Sequence, residues 1–195
     1  MRVRPLAMLL LLLLLLLMPR PGAAQGVEAV ELTAGWAGWS GDDLDDAEPG
    51  LRLQGTVFTV LRGDFDLGLT GTYGFVGVEG LDSDVRELGI TGTVRYSFGP
   101  IDSPHLFLEG QVGWSRLSVD IPNLDLLLDE HGIAAGPGIG VYLPVGPTVG
   151  VVLRADVHWH DYGDVRFRQG PQLSEGGDSA WRWGAKVGVS FLRGG

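Results

Sequence analysis

The 195-residue chain contains no cysteine. A disulfide framework, a thiolate metal site, a cysteine nucleophile and a lipid anchor on cysteine are all excluded by that absence. Basic residues are also scarce. Against 24 Asp+Glu stand 14 Lys+Arg, giving a formal charge of −10, and Lys186 is the only lysine. A nucleic-acid partner would need a basic footprint on its phosphates, so that class is set aside. Long apolar runs are lacking as well. The longest, Leu6 to Met18, spans 13 residues, short of the roughly 20 that a spanning helix requires.

That run belongs to another kind of signal. Arg2 and Arg4 precede it and the small residues Gly22-Ala23-Ala24 follow it, which is the pattern of a secretory signal peptide. Residues 1–24 are therefore expected to be a signal peptide, with cleavage after Ala24. Residues 25–195 form the mature domain, more acidic still because Arg2, Arg4 and Arg20 leave with the leader. Glycine is the abundant residue, at 32, while 11 prolines keep the sum below the low-complexity range.

The mature chain shows period-2 alternation and almost no helical period, the mark of strands with two different faces. Eight such segments are predicted, at about 28–39, 50–61, 64–77, 85–98, 105–118, 130–143, 147–160 and 180–191. In 64–77, Phe65, Leu67, Leu69, Gly71, Tyr73 and Phe75 share one face, and Asp66, Gly68, Thr70, Thr72 and Gly74 the other. In 180–191, Trp181, Trp183, Ala185, Val187, Val189 and Phe191 oppose Arg182, Gly184, Lys186, Gly188 and Ser190. With these boundaries long and short links alternate, every long link exceeding every short one. Up-and-down transmembrane barrels have that asymmetry, with short turns at one end and longer external loops at the other.

Charge placement orients the two faces. Along the middle of each segment the apolar face carries no charge, and Glu28, Arg86 and Arg116 share its parity only at segment ends. The opposite face sets Glu31, Asp66, Glu87, Glu109 and Asp156 against Arg52, Arg95, Arg154, Arg182 and Lys186, interleaved with Gly, Thr and Ser. Buried charges need partners, so this face is expected to be an inward lumen network. Trp36, Tyr73, Phe75, Trp114, Trp159 and Trp181 lie toward the long-loop end of the apolar face, with Tyr96, Phe98 and Phe191 at the other end. Two such belts around an aliphatic middle suit the two interfaces of a bilayer. Phe58 on the polar face and Pro137 inside a strand fit this scheme poorly, and each suggests a bulge or a shifted register.

In these respects the sequence resembles the small outer-membrane β-barrels of Gram-negative bacteria, the OmpA/OmpX-like group of eight-stranded, porin-family barrels. The resemblance covers the mature chain and implies an all-β, eight-stranded antiparallel up-and-down transmembrane barrel. The ending Ala185-x-Val187-x-Val189-x-Phe191 looks like that group's C-terminal assembly signal, although Leu192-Arg193-Gly194-Gly195 follow the aromatic residue. The implied partners are the barrel-insertion machinery and outer-membrane lipids, including lipopolysaccharide. No cofactor is implied.

Eight strands enclose an interior just wide enough for side chains to fill it, so a packed polar plug is expected. A narrow ion path is the alternative. Asp156, His158 and His160 share one face near a strand end, a spacing that can aim two imidazoles at one metal. A hydrogen-bonded lumen network is the plainer reading. Asp42, Asp43, Asp45, Asp46 and Glu48 crowd the first long link and can gather divalent cations, or simply form a solvated acidic loop. The link 161–179 is long enough to be functional, but its residues define no known chemistry.

Two further classes compete with a structural or surface-interaction role. Some barrels of this size modify lipid A. A hydrolase needs Ser, His and a carboxylate in mutual reach, and Ser174, Ser179 and His158 form no His-x-Ser arrangement. A soluble lipocalin-like carrier would turn the apolar face inward. The expectation is a non-enzymatic barrel with four acidic external loops and no catalytic residue.

Overall fold

In the computed structural model, the described residues are 28–41, 48–62, 64–77, 84–100, 102–121, 126–162, 166–167 and 179–192. The signal segment 1–24 lies outside them, as do Asp42, Asp43, Asp45, Asp46 and Ser174. Strands β1 (Ala29–Ser40), β2 (Gly50–Arg62), β3 (Phe65–Gly77), β4 (Asp84–Ser97), β5 (His105–Ile121), β6 (Leu126–Pro144) and β7 (Val149–Tyr162) are followed by the two-residue β8 (Arg166–Phe167) and by β9 (Ser179–Leu192). No helix occurs among the described residues.

Eight of these strands are the staves of a closed antiparallel barrel. The order is β5-β4-β3-β2-β1-β9-β7-β6, and pairing of β5 with β6 closes the ring. The first and last strands meet in a continuous register from Ala29↔Leu192 to Ser40↔Trp181. Closure leaves no unpaired edge, the condition for strands to stand in hydrocarbon. β8 lies outside the ring, pairing Phe167 and Arg166 with Leu128 and Asp129 near the start of β6.

Each wall strand alternates in and out as its sequence does, with β7 and β9 showing the pattern most regularly. The outward set is apolar. Leu32, Leu53, Leu69, Ile90, Val112, Ile139, Leu153 and Val187 are all exposed on the outside. The aromatic residues Trp36, Tyr73, Phe75, Trp114, Trp159 and Trp181 are exposed near the loop end, and Phe98 and Phe191 near the other, where Tyr96 is half-buried. Trp183 and Phe65 join these outward belts, Phe65 packing against Tyr96 with ring centroids 4.8 Å apart. An exterior this apolar fits acyl chains. A carrier with a greasy interior is not what these strands build.

Three expectations need correction. The strict alternation of link lengths fails, because β5 and β6 run on as a long hairpin and shorten the link between them to 122–125, while 98–104 is longer. Phe58 marks no bulge. β2 pairs with β3 in regular register through Val60, and the irregularity falls between Val60 and Arg62, beside the tight turn. Pro137 does not shift the register either. β6 and β7 keep one register from Ala135↔Trp159 to Gly138↔Asp156, and the ladder simply omits the two intervening pairs, as expected where proline has no N–H to donate.

Candidate functional site

The functional candidate is the lumen, whose charged residues form two clusters. The first lies in the half nearer the termini. Arg95 on β4 donates from Nη1 to Glu31 Oε1 and from Nη2 to Glu31 Oε2, each at 2.6 Å. Its Nε donates to Glu109 Oε1 at 2.7 Å. Arg154 on β7 donates from Nη2 to Glu31 Oε2 at 2.7 Å and to Glu109 Oε1 at 3.1 Å. Two guanidiniums and two carboxylates thus neutralise each other across the barrel axis. The bidentate geometry is the strong form of such pairs.

This cluster is seated between aromatic rings. The Arg95 guanidinium lies 4.1 Å from the Phe58 ring centroid and 4.2 Å from that of Phe107. Phe107, Tyr142 and Val152 are buried together beneath it, with Leu192 packed against them. Gly140 makes the room: a Cβ there would come within 2.2 Å of Phe107 Cζ. A chain of hydroxyls lines the neighbouring wall, Thr56 to Thr70 at 3.0 Å and Thr70 to Thr93 at 2.7 Å.

The second cluster lies toward the external loops. Arg52 approaches Asp156 at 3.3 Å and Glu87 at 3.6 Å. Arg182 pairs with Glu87, and Lys186 with Asp156. Lys186 also donates to Gln54 Oε1 at 2.6 Å, and Arg52 to Thr72 Oγ1 at 3.3 Å. Arg182 Nη2 lies 2.6 Å from His158 Nδ1. Above them Trp39, His160 and Tyr162 form an aromatic layer. Trp39 and His160 centroids are 4.8 Å apart, and His160 Nδ1 meets Tyr162 Oη at 3.0 Å and Ser115 Oγ at 3.2 Å.

The structure therefore places nine of the ten sequence-predicted lumen charges in two connected groups. Asp66 differs. It has no ion pair among the described residues and lines a cavity of about 270 Å³ at the mouth nearer the termini, with Glu28, Asp64, Arg95, His105 and Tyr142. It stands directly opposite Arg95 in the β3–β4 ladder, but the Arg95 nitrogens are taken by Glu31 and Glu109.

Asp156, His158 and His160, the candidate metal ligands, are drawn into other contacts. The Asp156 carboxylate is engaged by Lys186 and Arg52, His158 Nε2 stands 3.9 Å from Asp156 Oδ1, and the two histidine ring centroids are 6.3 Å apart. Among the described residues no group of three His, Asp or Glu side chains is arranged to hold a metal ion. Of the first-loop acids only Glu48 is described, and it is exposed. Ser179 is exposed at the start of β9, facing Asp161 in the ladder.

Sequence reasoning missed the aromatic members of the lumen. Phe107 shares inward parity with Glu109 and Gln111, and Trp39 with Glu31 and Thr33, all of them buried. That parity was the available signal.

No protein-family model matches the chain, and no curated protein matches it in sequence. Solved structures do. Neisserial surface protein A is similar over 85% of this chain and 96% of its own, with a TM-score of 0.60 and 19% identity. The outer membrane protein OprG from Pseudomonas aeruginosa covers 89% of this chain and 100% of its own, with a TM-score of 0.55 and 14% identity. Ail, the attachment invasion locus protein of Yersinia pestis, matches over 85% of this chain and all of its own, at TM-score 0.50 and 11% identity. The chain has the fold of the small eight-stranded outer-membrane barrels.

Proposed function

We propose that the mature chain is an integral outer-membrane protein of a Gram-negative bacterium, exported by its signal peptide, with a closed lumen and a structural or surface-interaction role. The observation that carries this reading is the pair of charged clusters spanning the interior, with Arg95 and Arg154 reaching Glu31 and Glu109 from different walls. Side chains so joined leave no wide aqueous channel. The outward apolar surface supplies the anchor in lipid, and the lumen contributes stability rather than transport.

The part of the molecule left to meet a partner is the loop end. There the β5–β6 pairing runs on past the end of β7 and carries the short β8. Lipopolysaccharide is the lipid it would meet first. Two of the similar structures are named for a surface protein and an attachment invasion locus protein, which agrees with a role at the cell surface. No catalytic residue is assigned: Ser115 Oγ lies 3.2 Å from His160 Nδ1, but the other nitrogen of that ring meets no carboxylate.

The test combines place and closure. Outer-membrane fractionation followed by gels of heated and unheated samples should show a heat-modifiable band, and planar-bilayer recordings of the folded protein should show no stable large-conductance openings. An aqueous-soluble protein without heat modifiability, or a large steady conductance, would reject the reading.

A further inference from the structure

The loop-side cluster is out of balance in charge and in hydrogen bonds. Arg52, Arg182 and Lys186 face only Glu87 and Asp156 within it. All five residues are buried. The first cluster, by contrast, is neutral.

Buried donors without acceptors occur in both clusters, Arg154 Nε and Nη1 in the first, but only in the loop-side cluster do they coincide with an excess of positive charge. Arg182 donates to His158 Nδ1, and a guanidinium has no lone pair to offer in return. His158 therefore carries its ring hydrogen on Nε2. That Nε2–H has no acceptor, with Asp156 Oδ1 at 3.9 Å too distant to serve. Arg52 Nε and Arg182 Nε also lack acceptors. Arg182 touches His158 and Arg52 shares Glu87 with Arg182, so three buried N–H donors without acceptors belong to one cluster with one positive charge in excess.

We infer that the loop-side half of the lumen is a binding site for one small inorganic anion, of the chloride or bromide class, held among Arg52, Arg182, Lys186 and His158. A buried charge left without a counter-charge is costly, as is a buried donor without an acceptor. Water satisfies the donors but leaves the charge. A monovalent anion is an acceptor only and answers both deficits. A divalent cation meets the wrong field.

The experiment uses the full mature chain folded in detergent, with chloride-35 NMR line width read as sodium gluconate is replaced by sodium chloride at constant ionic strength. The expected result is saturable broadening that bromide reverses, with a thermal midpoint that rises along the same titration. Lys186→Met makes the cluster neutral and should abolish both effects while keeping the heat-modifiable fold. Glu87→Gln adds to the excess charge and should shift half-saturation to lower chloride. Should either variant fail to fold, the wild-type titration still decides. A wild-type line width and midpoint indifferent to chloride overturn the site, the result expected if Lys186 is an uncharged amine or if water alone fills the donors. Broadening that persists unchanged in folded Lys186→Met overturns it too.

Discussion

Arg95 and Glu31 meet end to end across the lumen, two terminal nitrogens against two carboxylate oxygens, each at 2.6 Å. Their strands are not neighbours, since β2 and β3 stand between β4 and β1, so the pair braces the barrel across its axis rather than along its wall. Arg95→Met leaves Glu31 and Glu109 sharing the single cation of Arg154. Breaking one partner out of a buried ion pair costs about 3–5 kcal/mol, and a loss of that order is expected in urea unfolding of the vesicle-inserted protein. The double variant Arg95→Met, Glu31→Met retains Arg154 opposite Glu109, a neutral pair. It should be more stable than Arg95→Met alone, a non-additivity that a double-mutant cycle measures.

The same electrostatics bear on metal binding by His158 and His160. A zinc ion would enter beside Arg182, Arg52 and Lys186, and the carboxylate best placed to help, Asp156, is already engaged by two of those cations. Calorimetric titration of the folded protein with zinc is expected to give no binding heat, in wild type and in His158→Gln alike. A saturable heat lost in His158→Gln would show that the two imidazoles outcompete the surrounding charge.

Which residues face in and which face out was readable directly, because a strand's period of two turns every second side chain to the same side. Leu69 and Thr70, or Val187 and Lys186, declare their faces by chemistry alone. Height along the axis was not readable in that way. It depends on strand tilt and on the register of several hairpins at once, and the aim of a long side chain is hidden as well: Asp66 is the ladder partner of Arg95, yet the guanidinium turns across the lumen to Glu31. Phe58 was misread for a related reason. A ring on a polar face looks like a register error until the guanidinium stacked on it is seen. The extension of β5 and β6 was hidden because the residues between them mix acids and aliphatics, as a loop also does.

Packing around Gly140 makes a steric prediction. Its place on the inner wall beside Phe107 tolerates no Cβ, which would sit 2.2 Å from Phe107 Cζ and 2.5 Å from the Leu153 carbonyl oxygen. Gly140→Ala forces the ring and the β7 backbone apart, and overpacking of this kind costs about 1–3 kcal/mol. Gly110 has nothing within 4 Å of the same position, because it faces outward. Gly110→Ala should therefore be nearly neutral in the same unfolding assay. Equal effects at both sites would mean that the aromatic floor is not packed as described.

The orientation of the whole wall is tested by placing one charge at two heights. Leu69 is 62% exposed on the outside and lies in mid-wall, paired with Val57 and Gly92. Phe98 is also outward, but just past the end of β4. Against hydrocarbon, Leu69→Arg should cost about 2–4 kcal/mol and Phe98→Arg about 0–1 kcal/mol, because the penalty for a lipid-facing arginine falls from midplane to interface. Against water neither exposed position penalises a charge, and Leu69→Arg would be as harmless as Phe98→Arg. Equilibrium unfolding in phospholipid vesicles reads the difference directly. A gap between the two variants places Leu69 among acyl chains, whereas matched stabilities would place the apolar wall against something other than a bilayer.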